Sequence, residues 1–175
     1  MMKVHCLILV LVSILDDHGI IEGYNCCQNG WVVFEDSCYL FADEINIDWT
    51  EATHFCDAHE HSHIVTIESH SEELFLRDQC KRLFKTGASR DNWFWIGATD
   101  DEIEGIWVWY TNHKPITDGY TNWYPGQPDQ SSVNQDCAVL WGPSGYTWHD
   151  HICELKAHVI CERNITASRE QEIIG

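Results

Sequence analysis

Positive charge is scarce in this chain of 175 residues. It has 10 Lys and Arg against 28 Asp and Glu, so its formal net charge is -18 at pH 7. Such an acidic surface repels nucleic acid and anionic lipid. We therefore expect no nucleic-acid partner, and we interpret the charge as a solvated acidic surface.

Long apolar runs are also lacking. The run from Cys6 to Leu15 follows the basic residue Lys3 and is too short to span a bilayer. This arrangement is typical of a secretory signal peptide, which we place at residues 1–19, with an end as late as about residue 23 as the other choice. An uncleaved anchor is the alternative. No other stretch is apolar enough to cross a membrane, so the sequence predicts a secreted, extracellular protein without a membrane span.

A catalytic spacing of nucleophile and base is missing as well. Ser144 lies in Gly142-Pro143-Ser144-Gly145, which is not a nucleophile elbow and is typical of a turn. We therefore expect a binding protein and not an enzyme.

Cysteine, by contrast, is abundant, with nine residues. Cys6 lies in the predicted signal peptide and leaves with it, so an even number remains. An even number of cysteines in a secreted chain indicates a disulfide framework, although the sequence alone does not fix its connectivity.

The spacing of apolar residues predicts two helices. The first spans residues 48–60, with Asp48 as its cap and Glu51 completing a capping box. The second runs to about residue 84 and is capped by Ser69 or Ser71. Its inward-facing residues are predicted to be Leu74, Phe75 and Leu83.

Strands and one long loop are predicted around these helices. The loop is residues 111–134, which have little periodicity and contain Pro115, Pro125 and Pro128. A hairpin is predicted at 31–41, and strands at 63–67, 92–98, 106–110, 137–141, 146–149 and 158–162.

Two acidic motifs are the most informative feature of the chain. Gln127-Pro128-Asp129 is followed by Trp148-His149-Asp150, and Cys137 and Cys153 stand between and just beyond them. A disulfide between these cysteines would fold the two motifs against each other. Their oxygen ligands would then converge on one point, as a hard cation such as Ca²⁺ requires.

These motifs resemble those of the C-type lectin-like domain family, which pairs Glu-Pro-Asn or Gln-Pro-Asp with Trp-Asn-Asp. Further matches in family order are Cys27, Gly30-Trp31, Cys38-Tyr39, Trp95-Ile96-Gly97-Ala98 and Cys161-Glu162. The resemblance implies an α+β fold in which two helices pack on small antiparallel sheets beside a long ligand-binding loop. It places the domain at residues 27–163 and leaves residues 164–175 as a short C-terminal tail.

The resemblance also implies three disulfides, Cys27–Cys38, Cys56–Cys161 and Cys137–Cys153. Cys26 and Cys80 are left over. Either they bond each other within the chain, or one of them bonds a second chain in a disulfide-linked homodimer.

A principal Ca²⁺ and carbohydrate site follows from the same resemblance. Gln135 stands where the family has Glu, and His149 stands where it has Asn. Two carboxylates in place of three predict weak Ca²⁺ binding. The Gln127–Pro128 bond is expected to be cis. The implied carbohydrate-binding residues are Gln127, Asp129, Gln135, His149 and Asp150, and the Ca²⁺ ligands are the same set without His149.

The sequence contains two further candidate metal sites. An auxiliary Ca²⁺ site is implied at Asp100, Glu104 and Asp136, although Gln130 stands where an acid is usual; a solvated acidic turn is the alternative. The alternating pair His149 and His151 could hold zinc together with Asp129, because imidazole nitrogen suits zinc better than calcium. For that pair a polar strand edge is the favoured interpretation.

In this family the Gln-Pro-Asp motif accompanies galactose-type sugars, so galactose or GalNAc is the expected ligand. Ser131 replaces the aromatic residue that galactose binders stack on the sugar, which leaves Tyr124, Trp141 or Tyr146 as substitutes.

The sequence therefore predicts a secreted, Ca²⁺-dependent, galactose-type lectin, with recognition of microbial glycans as an implied role. The alternative is a Ca²⁺-independent member of the same fold that binds protein or mineral. Asn164-Ile165-Thr166 is a predicted N-glycosylation acceptor, so we expect a glycoprotein.

Overall fold

The computed structural model describes residues 27–59, 61–84, 92–129 and 134–165. The predicted signal peptide, Cys26, Gln130, Ser131 and most of the predicted C-terminal tail lie outside these ranges.

Both predicted helices form, and both begin at a predicted cap. Helix α1 spans Trp49–Asp57, where Asp48 accepts a hydrogen bond from the Glu51 amide (2.9 Å) and the Glu51 carboxylate accepts one from the Asp48 amide (3.3 Å). Helix α2 spans His70–Leu83 and is capped by Ser69, whose hydroxyl accepts from the Glu72 amide. Within the described ranges, neither helix has the length and hydropathy that a membrane crossing needs.

The inward face of α2 differs from the prediction. Leu74 and Leu83 are 51% and 41% exposed, and only Phe75 packs, half-buried, against the core. Carboxylates usually face solvent. On this helix the carboxylates of Glu72 and Glu73 are buried, because each accepts hydrogen bonds from donors inside the protein. The buried residues of α2 are Glu72, Glu73, Leu76 and Cys80.

The strands confirm the α+β class. In the described ranges they are β1 (Val32–Phe34), β2 (Ser37–Ile47), β3 (His63–Ile64), β4 (Trp93–Thr99), β5 (Val108–Trp109), β6 (Cys137–Trp141), β7 (Thr147–His151) and β8 (Ala157–Asn164). Their order is β1-β2-β8-β4-β6-β7, with β3 on β8 and β5 on β4. One parallel pair, β4 with β8, joins the otherwise antiparallel pairs into a continuous sheet.

Regular structure continues slightly beyond the predicted domain end at residue 163. Strand β8 includes Asn164, which is exposed, and the amide of buried Ile165 donates to the Asp36 carbonyl (2.8 Å). An exposed Asn164 is compatible with the predicted glycosylation, which stays a prediction.

The sheet separates two apolar clusters, because alternate residues of a strand point to opposite faces. Along β4, Phe94 and Ile96 pack with α2, whereas Trp95 packs with α1. The two helices therefore cover opposite faces of the sheet. The candidate site lies where the long loop meets the sheet.

Among the described residues, three disulfides hold this arrangement, Cys27–Cys38, Cys56–Cys161 and Cys137–Cys153, which are the pairs that the resemblance implies. Cys80 is a free, fully buried thiol, so the internal Cys26–Cys80 bridge does not form. Burial raises the pKa of the Cys80 thiol, and its 0% exposure disfavours a bond to a second chain through this residue. An interchain bond through Cys26 stays a prediction.

Glu72 is a buried carboxylate with a strongly shifted pKa. Its two oxygens accept hydrogen bonds from the Tyr39 hydroxyl and the Glu68 amide, both at 2.8 Å. Burial, followed by the nearby Glu162 carboxylate, nevertheless raises the pKa of Glu72 from 4.5 to about 7. Between these two values the folded state binds a proton that the unfolded state has released, so this group makes the fold less stable as pH rises.

We expect Glu72→Gln to remove this pH dependence. From pH 4 to pH 8 the wild type should lose about 3 kcal/mol of unfolding free energy relative to the variant, because only the wild type has this carboxyl group to ionise. Urea denaturation across that range measures it, with exposed Glu44→Gln as the charge-matched control. A constant difference between Glu72→Gln and wild type would contradict the shift.

Candidate functional site

A buried carboxylate on α2 positions the strand and the loop that carry the site. Glu73 is 0% exposed, and it accepts hydrogen bonds from Trp148 Nε1 and from Asn122 Nδ2, both at 2.8 Å. The Trp148 amide donates to the Asn122 carbonyl (3.0 Å), and the Tyr124 amide donates to the Trp148 carbonyl (2.9 Å). The long loop therefore runs alongside β7 immediately before the Gln127 motif. Nothing in the sequence distinguishes Glu73 or Asn122 from ordinary helix and loop residues.

The two acidic motifs meet at Asp150. The Gln127–Pro128 bond is cis, as expected. Gln127 Oε1 accepts from the Asp150 amide (3.4 Å), and the Asp150 carboxylate accepts from the Asp129 amide at 3.2 and 3.3 Å. Gln135 Nε2 donates to the Asp150 carbonyl (3.2 Å). Three of the predicted site residues, Gln127, Asp129 and Gln135, are thus gathered around a fourth, the buried Asp150.

The donor types of these four residues suit a hard cation. They offer two carboxylates and two side-chain amides, and oxygen is the ligand atom that Ca²⁺ takes. Within the described residues, no group of three His, Cys, Asp or Glu is placed to hold a metal. The amide oxygens of Gln127 and Gln135 would therefore have to complete any cation site.

His149 occupies a different environment from the other four. Its ring stacks on Tyr124 (4.9 Å between centroids) and meets Trp141 edge-on (4.6 Å). Burial, followed by neighbouring His151, lowers the pKa of His149 to about 4. Its Nε2 atom is buried and makes no hydrogen bond to the described residues. Neutral aromatic packing accounts for this side chain, and the zinc alternative gains no support.

An open cleft of about 660 Å³ adjoins the oxygen set, and its wall includes Gln127, Gln135 and Asp150. Of the three aromatic residues proposed to replace Ser131, Tyr124 and Trp141 line this cleft. Tyr146 does not, because it is 5% exposed and packs in the α2-side core.

The acids of the predicted auxiliary site also lie near one another. Asp100 is 3% exposed, and burial, with Glu104 and Asp136 close by, raises its pKa to about 6. Its Oδ2 accepts from the Gly105 amide (2.8 Å), while Oδ1 is buried without a hydrogen bond from the described residues. The three acids do not form a ready-made metal group within the described residues, so the auxiliary site stays a prediction whose support is this unsatisfied oxygen.

The fold and the paired motifs together define the C-type lectin-like class of domains. A sequence profile for the lectin C-type domain matches residues 45–163. The chain therefore belongs to the C-type lectin domain family, which is a family of lectin domains and not of enzymes.

Similar proteins come from distant animals. The chain is 36% identical over 138 residues to perlucin of Haliotis laevigata, covering 78% of this chain and 83% of perlucin. It is 33% identical over 133 residues to hepatic lectin of Gallus gallus, covering 76% of this chain and 58% of that lectin. The carbohydrate-recognition domain of mouse scavenger receptor C-type lectin superposes with a TM-score of 0.65 at 32% identity, covering 79% of this chain and 96% of that one.

We expect Glu73→Gln to loosen the attachment of the loop to α2. A glutamine retains one acceptor but turns an NH₂ group toward a donor, which leaves a buried polar group unsatisfied at a cost of about 1–3 kcal/mol. Thermal and urea denaturation measure the loss. Asp78→Asn is the matched control, because it makes the same change of group at an exposed position of α2. Equal stability of the two variants would argue against the anchoring role.

Proposed function

We propose that this protein is a secreted lectin that binds galactose-type glycans, with galactose or GalNAc as the first choice, through Ca²⁺ held by Gln127, Asp129, Gln135 and Asp150. The observation that carries the proposal is the meeting of the two motifs at Asp150, where the described contacts are 3.2 to 3.4 Å long. These residues would supply oxygens both to the ion and to vicinal hydroxyls of the sugar. Because only two of the four groups are charged, Ca²⁺ affinity is weak.

Secretion is supported by the predicted signal peptide and by the three disulfides, since disulfides persist in oxidising compartments. Recognition of microbial glycans is the biological role that family analogy suggests. The auxiliary site at Asp100, Glu104 and Asp136 would hold a second Ca²⁺, for which the buried Asp100 oxygen is the support.

One observation favours a second candidate, a Ca²⁺-independent module that binds protein or mineral. The position where the family has an asparagine oxygen is held here by His149, whose ring is packed between Tyr124 and Trp141. The oxygen set is correspondingly poorer in cation ligands. Chelation separates the two candidates, because only the first loses its ligand in EDTA.

We expect Gln135→Glu to tighten Ca²⁺ binding, because it restores a third carboxylate. The gain should be on the order of tenfold, equivalent to about 1.4 kcal/mol. The variant also loses the hydrogen bond that Gln135 donates to the Asp150 carbonyl, so it should be less stable than wild type without Ca²⁺. Titration calorimetry and Ca²⁺-dependent thermal shifts measure both effects.

Exposed Gln28→Glu is the control for that experiment, because it adds the same charge outside the site. Equal Ca²⁺ affinity of all three proteins, or no binding by any of them, would refute the ligand set.

We expect Asp129→Ala and Asp150→Asn each to abolish Ca²⁺-dependent retention on galactose-agarose. Both changes remove a carboxylate from the ion, while the amide of Asp150→Asn preserves the shape of a buried residue. Asp118→Ala, an exposed change in the same long loop, should leave retention unchanged. The Ca²⁺-dependent proposal is wrong if either site variant is retained on galactose-agarose, or if EDTA does not release the wild-type protein.

A further inference from the structure

The cleft beside Asp150 has an almost continuous wall of rings. Trp93 on β4 pairs with Trp141 on β6, and Val139 on β6 pairs with His149 on β7, so their side chains share one face of the sheet. The Trp93 and His151 rings meet edge-on with centroids 4.4 Å apart. The side chains of three strands thus form one aromatic floor.

The long loop closes the other side of this floor. Tyr124, which is 44% exposed, stacks on His149, and Pro125 follows it in the cleft wall. At about 660 Å³ the cleft is within the range of about 300–1,000 Å³ that ligand pockets occupy. A single sugar ring at the oxygen set would leave most of this space to a further group.

The walls favour an uncharged occupant with apolar faces. Among the described residues that line the cleft, Asp150 is the one carboxylate and there is no Lys or Arg. Away from the proposed Ca²⁺ position, sulfate or carboxylate groups would meet no Lys or Arg in these walls, whereas the C–H faces of a pyranose suit indole and phenol rings.

The cleft is also continuous with the oxygen set, since Gln127, Gln135 and Asp150 belong to both. A group that fills the cleft is therefore within reach of a sugar at Asp150 by a single glycosidic linkage.

We propose that this cleft binds the second, uncharged sugar ring of a disaccharide whose terminal ring lies at the Asp150 oxygen set, with Trp93 as a residue that determines specificity for that second ring. The proposal rests on the proposed lectin function, because it needs the first ring to be held at Asp150.

The test compares galactose with N-acetyllactosamine and with N-acetyllactosamine sulfated on its GlcNAc ring, by calorimetry in Ca²⁺. Wild type should bind the neutral disaccharide about two- to tenfold more tightly than galactose, the gain of one aromatic stacking contact. The sulfated form should lose that gain. Trp93→Leu should bind galactose as wild type does and show no preference for the disaccharide.

Trp31→Leu is the control, since Trp31 precedes β1 at the opposite edge of the sheet. If Trp93→Leu does not fold, the histidine resonances of the wild-type protein decide the question. The disaccharide, but not galactose, should shift the His151 imidazole signals, because that ring touches Trp93.

Three outcomes separate the possibilities. Galactose binding without any gain for the disaccharide overturns the second-ring site and leaves the proposed function intact. A lack of binding by every sugar overturns both. Tetramethylammonium serves as a probe for a cation pocket lined by aromatic rings. If it shifts the His151 signals and the disaccharide does not, the cleft is a cation pocket and the second-ring site is overturned.

Discussion

The buried carboxylate of Glu73 is the contact on which the arrangement of the site depends. Taking a carboxylate out of water is costly, and burial raises the pKa of Glu73 despite its hydrogen bonds. The Trp148 and Asn122 donors offset part of that cost, followed by the charges of Arg77 and His70. The two hydrogen bonds fix strand β7 and the long loop where these donors reach the helix. In the register of β7 against β6, Ala138 pairs with Asp150, which lies two residues beyond the anchored Trp148 on the same strand.

That register divides β7 between two functions. With Trp148 directed to the α2 side, Asp150 faces the long loop, and His149 and His151 face the aromatic cleft. A slip of one residue would exchange the two sets. His149 therefore belongs to the cleft wall, although its position in the motif suggests a cation ligand. A ring that stacks on Tyr124 and stays neutral contributes shape and stacking, and the proposed cation ligands are the amides and carboxylates.

The sequence predicted much of this structure because the relevant signals are local. The Asp48 capping box, the Ser69 cap, the strand patterns and the Gln127–Pro128 turn are each encoded within a few residues. The inward face of α2 could not be predicted in the same way. Glu73 is buried because Trp148 and Asn122, far along the chain, donate to it, and charge alone predicts an exposed residue. The aromatic cleft escaped prediction for the same reason, since Trp93, Trp141 and His151 come together only through the pairing of β4, β6 and β7.

The grouped acids bear on the choice between a cation-dependent and a cation-independent protein. Asp100 and Asp136 both have raised pKa values, caused first by burial and then by neighbouring carboxylates. Such grouping disfavours the charged forms unless a cation offsets the repulsion. At Asp150 the Asp129 amide hydrogen-bonds to the carboxylate, and Gln135 adds no charge to the set. The raised pKa values of Asp100 and Asp136 therefore support the proposed auxiliary site, although within the described residues no three acids are placed to hold a metal as they stand.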